Sequence, residues 1–264
     1  MLTIALKRGI IYGPVNSRRL GWSLGVNLMP FDVKICSFDC LYCQYGWTEY
    51  HTNVIEEFVE MPSVEQVSEA LEKALTEYKE QNKDSNLPGY PMYITFSGNG
   101  EPTLHPEFSQ IVDKVIEVKN KISPLSRTAI LSNSTTVNIP AVRPALTKLD
   151  VRIMKLDAGS NDAFHTYNNP ADGIDIEDIT EGLSTLMSVT IQTLFTGGKK
   201  GNYNDANISD WILRLKKISP IKVQLYSLDR GYPSEYITSV HKDKLLKVKA
   251  MLDRESLHSE VYER

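Results

Sequence analysis

Apolar and polar positions along this chain follow two periods, and the switches between them mark out elements. Residues 23–29, SLGVNLM, alternate and predict a strand. From 63 to 78 the spacing turns helical, with Val64, Val67, Leu71, Leu75 and Tyr78 on one face. Ser63 and Gln66 stand at capping-box spacing behind Pro62 and mark the start of that helix. MYITFS at 92–97 predicts a short apolar strand; Pro106 then opens a second helix carrying Phe108, Ile111, Val112 and Val115 inward. The alternation continues. TAILS (128–132), VRIMKL (151–156), VTIQTLF (189–195) and IKVQLYS (221–227) read as strands. Between them run the faces Ile176, Ile179, Leu183, Leu186 and Ile208, Trp211, Ile212, Leu215, and 241–255 reads as a last helix. The stretch 44–62, which includes NVIEEFVEM, leaves room for one more short strand.

Strands alternating with helices imply parallel pairing through right-handed crossovers. Six such units fall short of an eight-fold closed barrel. The expected fold class is therefore α/β, a partial (β/α)6 TIM-like barrel, with its functional edge at the C-terminal ends of the strands. The most loop-like stretch is 79–91, and nothing reads as an interdomain linker. One domain over 1–264 is expected, with a core from about 22 to 231 and a helical extension over 232–264.

Composition narrows the class of function. The 264 residues are 41% hydrophobic and 23% charged, which suits a globular core. A net charge of −4 argues against a large duplex nucleic-acid footprint but leaves room for a local basic cleft. No apolar run is long enough to span a membrane, and the first residues lack the order of a signal peptide. The only cysteines are Cys36, Cys40 and Cys43, too crowded for a disulfide framework; a reducing, cytoplasmic setting is expected.

Three thiols in eight residues suit a soft metal. Structural zinc wants four protein ligands, and His51 or His105 could complete a Cys3His set, though neither has motif spacing. A cubane iron–sulfur cluster on three cysteines has a different logic, because its fourth iron stays open to bind something. At the level of these residues two readings stand: a small electron carrier or zinc-binding protein, and a catalytic iron–sulfur site.

The pattern C-x3-C-x-Φ-C, with Tyr42 as its aromatic member, resembles the radical S-adenosylmethionine (SAM) superfamily. The resemblance implies a [4Fe-4S] cluster on Cys36, Cys40 and Cys43, with SAM on the open iron and Tyr42 against its adenine. It also implies reductive cleavage of SAM to a 5′-deoxyadenosyl radical that abstracts hydrogen from a substrate. TFSGNGEPTLHPEF (95–108) looks like the family's Gly-Gly-Glu motif, with Gly98, Asn99, Gly100 and Glu101 in its place near the SAM amino group. Asn99 departs from the two-glycine form, and asparagine tolerates left-handed backbone better than most residues. ILSNST (130–135) and MKLDAG (154–159) resemble strand ends that reach the SAM ribose and carboxylate, which brings in Ser132, Asn133, Lys155 and Asp157. Over about residues 12–231 the chain resembles a compact group related to wyosine-type tRNA synthases and molybdenum-cofactor cyclase-like Fe-S oxidoreductases.

Substrate-side candidates are sparser. Arg18 is either an anion clamp or paired with an acid, and Arg19 is read as structurally paired. Gln192 and Thr193 compete for the barrel interior, since strand parity is unsettled. Arg230 follows the last strand and is expected to hold an anionic or polar substrate group; a salt bridge to Asp229 is the competing role. Tyr226 and Tyr232 could stack on a ring or simply pack, and the scattered histidines read as surface or turn residues. No side chain is singled out as catalytic. The implied partners are a flavodoxin- or ferredoxin-like electron donor and a small-molecule, peptide or tRNA substrate, with no membrane. Acidity favours the first two substrates, and the family grouping favours tRNA.

Overall fold

The computed structural model describes residues 3–54, 60–83 and 88–263. Its first strand, β1 (Ile11–Ser17), is one the apolar pattern does not announce. Four of its residues are exposed, and it carries Gly13 and Pro14 where its register shifts. Proline is tolerated on such an edge. β1 runs antiparallel to β2 (Gly21–Val26). The strands then follow in chain order: β3 (Tyr93–Phe96), β4 (Arg127–Ser132), β5 (Val151–Lys155), β6 (Val189–Leu194), β7 (Lys222–Tyr226) and β8 (Ser259–Val261). They form one eight-stranded sheet in strictly sequential order, parallel from β2 onward, with β1 and β8 as unjoined edges. The open α/β barrel is thus as expected. The segment after 231, expected to be helical, also supplies β8.

Helices return the chain between strands: α1 (Val64–Gln81), α2 (Phe108–Ile122), α3 (Arg143–Lys148), α4 (Asn161–Asn168), α5 (Ile176–Ser184), α6 (Asp205–Ile218) and α7 (Lys242–Arg254). The capping box on Ser63 and Gln66 forms, satisfying two otherwise orphan N–H groups. The second helix begins at Phe108, two residues later than Pro106 suggests. The six-residue α3 and eight-residue α4 are too short to leave a helical period in the sequence. A two-residue pairing, Ile35–Cys36 with Tyr50–His51, meets the expectation of a short strand in 44–62, while residues 55–59 of that stretch lie outside the described residues. No helix among the described residues is long and apolar enough to cross a membrane.

Strand parity sorts the core. Leu24, Val26, Ile94, Phe96, Ile130, Met154, Ile191, Val223 and Leu225 pack with the helices in one large apolar cluster. Each such side chain removed from water contributes about 1.5–3 kcal/mol. The opposite face is small and apolar around Leu20, Ala129 and Ile153, then turns polar. Lys155, Gln192 and Gln224 stand side by side in register on β5, β6 and β7. Burying one face against helices leaves the other free to be a polar interior, and the parity puts Gln192 rather than Thr193 there.

His105 corrects the reading of the histidines as surface or turn residues. It is 2% exposed and joins the exit of β3 to the start of α1. Its Nδ1 accepts the Glu107 N–H at 3.1 Å, so its Nε2–H donates to the Pro62 carbonyl at 3.0 Å. Burial pushes its pKa down to about 4, against a partial rise from the Pro62 bond. An unfolded histidine binds its proton near pH 6.5, so stability is lost as pH falls from there toward 4. The expected contribution is about 2–3 kcal/mol between pH 7 and 4.5. Urea midpoints at the two pH values should show a larger acid loss in the wild type than in His105→Gln; an equal loss in both would refute the assignment.

Candidate active site

The cysteine loop leaves β2 and is pinned from three sides. Ile35 bridges Gly100, and its carbonyl accepts the Glu101 N–H at 3.1 Å. The Cys36 carbonyl accepts the Thr52 N–H at 3.1 Å. On the far side Phe38 bridges Pro170, and the Leu41 N–H donates to the Tyr167 carbonyl at 3.2 Å. Tight turns from Cys40 to Cys43 and from Cys43 to Gly46 complete the loop. Cys36 and Cys40 are buried and Cys43 is half-buried.

The buried Lys34 faces all three sulfurs and donates to the Gly46 carbonyl at 2.7 Å. Burial alone would lower its pKa; the sulfurs hold it above the ordinary value. Burial pushes the Cys36 thiol up to about 12 in spite of Lys34, and raises Cys40 as well. Three N–H groups also point at sulfur. The Phe38 amide and the Asn133 Nδ2 lie 3.5 and 3.6 Å from the Cys36 Sγ, and the Asn168 Nδ2 lies 3.5 Å from the Cys40 Sγ. No group of three His, Cys, Asp or Glu among the described residues is arranged to hold a single metal ion. His105 is spent on Pro62 and Glu107, which removes it as a fourth zinc ligand.

The Gly98–Glu101 turn packs directly on this loop. Gly98 and Gly100 take φ of 153° and 150°, a region that favours glycine. The positive φ thus falls on the glycines that flank Asn99, and Asn99 itself needs no left-handed conformation. A Cβ on Gly100 would lie 1.7 Å from the Ile35 carbonyl oxygen. Asn99 is fully buried and serves as a staple: its Oδ1 accepts the Lys7 N–H at 2.6 Å, and its Nδ2 donates to the Lys7 and Pro30 carbonyls at 2.8 Å. Glu101 turns inward too. Its Oε1 accepts from the Thr103 amide and hydroxyl and from the Ser132 hydroxyl, and its Oε2 accepts the Asn133 N–H at 2.6 Å. Burial still raises its pKa. The structure brings Glu101, Ser132 and Asn133 together, but spends the first two side chains on each other.

Across the mouth, Asp157 is fully buried. Its Oδ1 meets the Lys155 Nζ and the Leu194 N–H, both at 2.8 Å, and its Oδ2 accepts from the Tyr42 hydroxyl at 2.5 Å and the Asn168 Nδ2 at 3.0 Å. Burial would lower the Lys155 pKa, but Asp157 and Tyr226 raise it overall. Burial and Asp157 together raise Tyr42 well above the phenol value. The chain of polar contacts continues from the Lys155 Nζ to the Tyr226 hydroxyl at 3.1 Å, on to the Gln192 Oε1 at 3.2 Å, and from the Gln192 Nε2 to the Gln224 Oε1 at 2.9 Å. Asn168 and Gln224 carry no motif spacing, and only the packing of α4 and β7 reveals them.

The arginines divide. Arg18 pairs with the Asp229 carboxylate and the Glu263 carbonyl, so it is structural and not a free anion clamp. Arg230 therefore has no bridge to Asp229; it donates to the Gln44 Oε1 at 2.5 Å, beside Cys43. Among the described residues Arg19 pairs with no acid. Its guanidinium lies 4.2 Å from the Tyr226 ring centre and 5.4 Å from that of Tyr262.

Two outcomes follow for variants. Gly100→Ala should push Ile35 and with it Cys36, costing about 1–3 kcal/mol and exposing the buried thiol. Thermal melting combined with thiol-reagent kinetics reads both effects, and wild-type values in the two would show that the loop yields freely. Asp157→Asn leaves the Lys155 charge buried with a neutral neighbour, and about 3–5 kcal/mol of stability should go. Restoring neutrality with Lys155→Met in the same chain should recover part of that loss; no recovery would mean the carboxylate acts without the lysine.

No family model matches the chain. A protein named GTPase Obg from Brachyspira hyodysenteriae is 29% identical over 252 residues, 92% of this chain; the chain spans only 33% of that protein. No G-x4-G-K-[ST] phosphate loop occurs in the present sequence. Among solved structures, a radical SAM methyltransferase from Sphaerobacter thermophilus superposes with a TM-score of 0.65 at 12% identity, over 91% of this chain and 65% of that one. TYW1 with a lysine–pyruvate adduct bound gives a TM-score of 0.60 at 20% identity, over 88% of this chain and 73% of that one. These superpositions establish the fold. A UPF0026 protein of Helicobacter pylori strain J99 is 31% identical over 245 residues, 90% of this chain and 72% of that protein. The chain therefore belongs to the UPF0026 family, built on the fold of the radical SAM enzymes.

Proposed function

We propose that this protein is a radical SAM enzyme that carries a [4Fe-4S] cluster on Cys36, Cys40 and Cys43. The observation that carries the reading is the cysteine loop itself: three thiols facing one ammonium, with carboxamide N–H groups directed at two of them. A single zinc draws its sulfurs to about 2.3 Å from one point, whereas a cubane bonds each thiolate to a different iron. Thiols raised by burial lose their protons on metal binding, and Lys34 compensates part of the resulting charge.

When bound, the cluster and SAM supply one-electron cleavage of a sulfonium bond and a carbon radical that takes hydrogen from substrate. The residues of this chain bind and orient. The proposed SAM contacts are Tyr42, the main chain of Gly98, Asn99 and Gly100, and the side chains of Asn133, Lys155 and Asp157. Glu101 and Ser132 act by fixing the strand ends behind them. Lys155 keeps its proton and serves as a point charge rather than a base. Gln192 and Arg230 face the remaining space, where the substrate would lie. The electron would come from a flavodoxin- or ferredoxin-like donor, and the domain is read as one unit over 1–264.

Anaerobic reconstitution with iron and sulfide tests the reading. About four irons per chain and visible charge-transfer absorption are expected. Reduction with dithionite in the presence of SAM should then yield 5′-deoxyadenosine, and Cys40→Ala should abolish both. Stoichiometric zinc without visible absorption or SAM cleavage would favour the zinc-binding alternative and overturn the proposal.

A further inference from the structure

We infer that Arg19 is an oxyanion-recognition residue in the open side of the barrel, built to take the carboxylate or phosphate of a small metabolite. The loop from β1 to β2 carries Arg18 and Arg19 across the gap between the first strand and the last ones. Arg18 closes part of that gap through Asp229 and the Glu263 carbonyl. Arg19 does something different. Among the described residues its side chain makes no ion pair and no hydrogen bond, and its Nε is buried without a partner.

An unpaired guanidinium in that setting needs an explanation, because a buried donor left unmade is costly. The two tyrosine rings supply half of it. Stacking against Tyr226 and Tyr262 fixes the guanidinium in place while consuming none of its five N–H donors. A planar fork held this way matches two oxygens of a carboxylate or phosphate. The surroundings supply the rest. Tyr226 lies between two cations, with the Lys155 Nζ 5.0 Å from its ring centre and Arg19 at 4.2 Å. The Lys155 charge is met by Asp157, whereas Arg19 has no ion pair among the described residues. Gln192 and Gln224 line the same level with amide groups. On β8 Glu260 stands in register with Gln224, but its carboxylate is taken by Lys222 and the Tyr262 hydroxyl, which leaves the Arg19 fork without an acid on this side.

That the bound oxyanion belongs to the enzyme's second reactant rests on the proposed function; the anion site itself does not. The test uses the full chain without added iron, sulfide or SAM. Inorganic phosphate and sodium acetate are titrated separately at constant ionic strength set with chloride, and binding is read by calorimetry and by thermal shift. One of the two anions should bind saturably above the chloride background: acetate for a carboxylate-bearing metabolite, phosphate for a phosphorylated one. Arg19→Gln should weaken it by about 10- to 100-fold, while the exposed control Lys73→Gln should not. Should Arg19→Gln fail to fold, Arg19→Lys keeps the charge but loses the fork, and a drop of about 10-fold is expected of it. No saturable binding above chloride, or equal binding in wild type and the Arg19 variants, overturns the inference. Either of these results leaves the reconstitution experiment standing, and failed reconstitution leaves the anion titration standing.

Discussion

The buried carboxylate of Asp157 ties the cysteine loop, the end of α4 and the exits of β5 and β6 to one charged point. It lies at the exit of β5 and binds the Tyr42 hydroxyl of the cysteine loop, the Asn168 amide at the end of α4, the Leu194 N–H on β6 and its own neighbour Lys155. A charge removed from water is tolerable only where counter-charge and hydrogen bonds surround it. Here the surrounding groups come from four separate stretches of chain, so the compensation that makes Asp157 tolerable also fixes their relative positions. Asp157 in turn raises Lys155 against its burial, and burial together with Asp157 raises Tyr42, which keeps both protonated as donors at the mouth.

Behind that array, the open barrel separates two kinds of cohesion. The outward strand faces and the helices share one apolar cluster and supply the bulk of the burial. The inward faces become polar toward the C-terminal ends, where an eight-fold barrel would have continued around. Sequential strand order without closure leaves two edges, β1 and β8. Arginines bridge that opening where backbone hydrogen bonds do not: Arg18 to Asp229 and the Glu263 carbonyl, Arg19 over Tyr226 and Tyr262.

The cysteine loop and the glycine turn behave as one unit. Gly100 lets the backbone of the turn touch that of Ile35, next to Cys36, and Asn99 ties the same turn to the N-terminal segment at Lys7. Residues that a sequence motif suggests for ligand contact are here also the packing that gives the loop its shape. The two roles cannot be separated by deleting a side chain, because the Glu101 and Asn99 side chains already hold the loop and turn in place through their hydrogen bonds.

The alternation of periods in the sequence was enough to specify the parallel strands from 23 to 227, the long helices between them and the open barrel. Burial on one strand face repeats over many residues and leaves a readable signal. The cysteines were legible for a related reason, since three soft ligands at fixed local spacing constrain each other within one loop. The edge strands β1 and β8 and the short α3 and α4 were not. They bury too few residues to imprint a period, and they form because a neighbouring strand or loop offers them partners. Side-chain roles at the mouth lay further out of reach. Whether Gln192 or Thr193 faces inward, whether Arg18 or Arg19 finds an acid, and that Asn168 meets Cys40 depend on residues dozens of positions apart. Electrostatic compensation acts through space, with no period along the chain, so only the tertiary structure could decide which charges are paired with an acid and which are not.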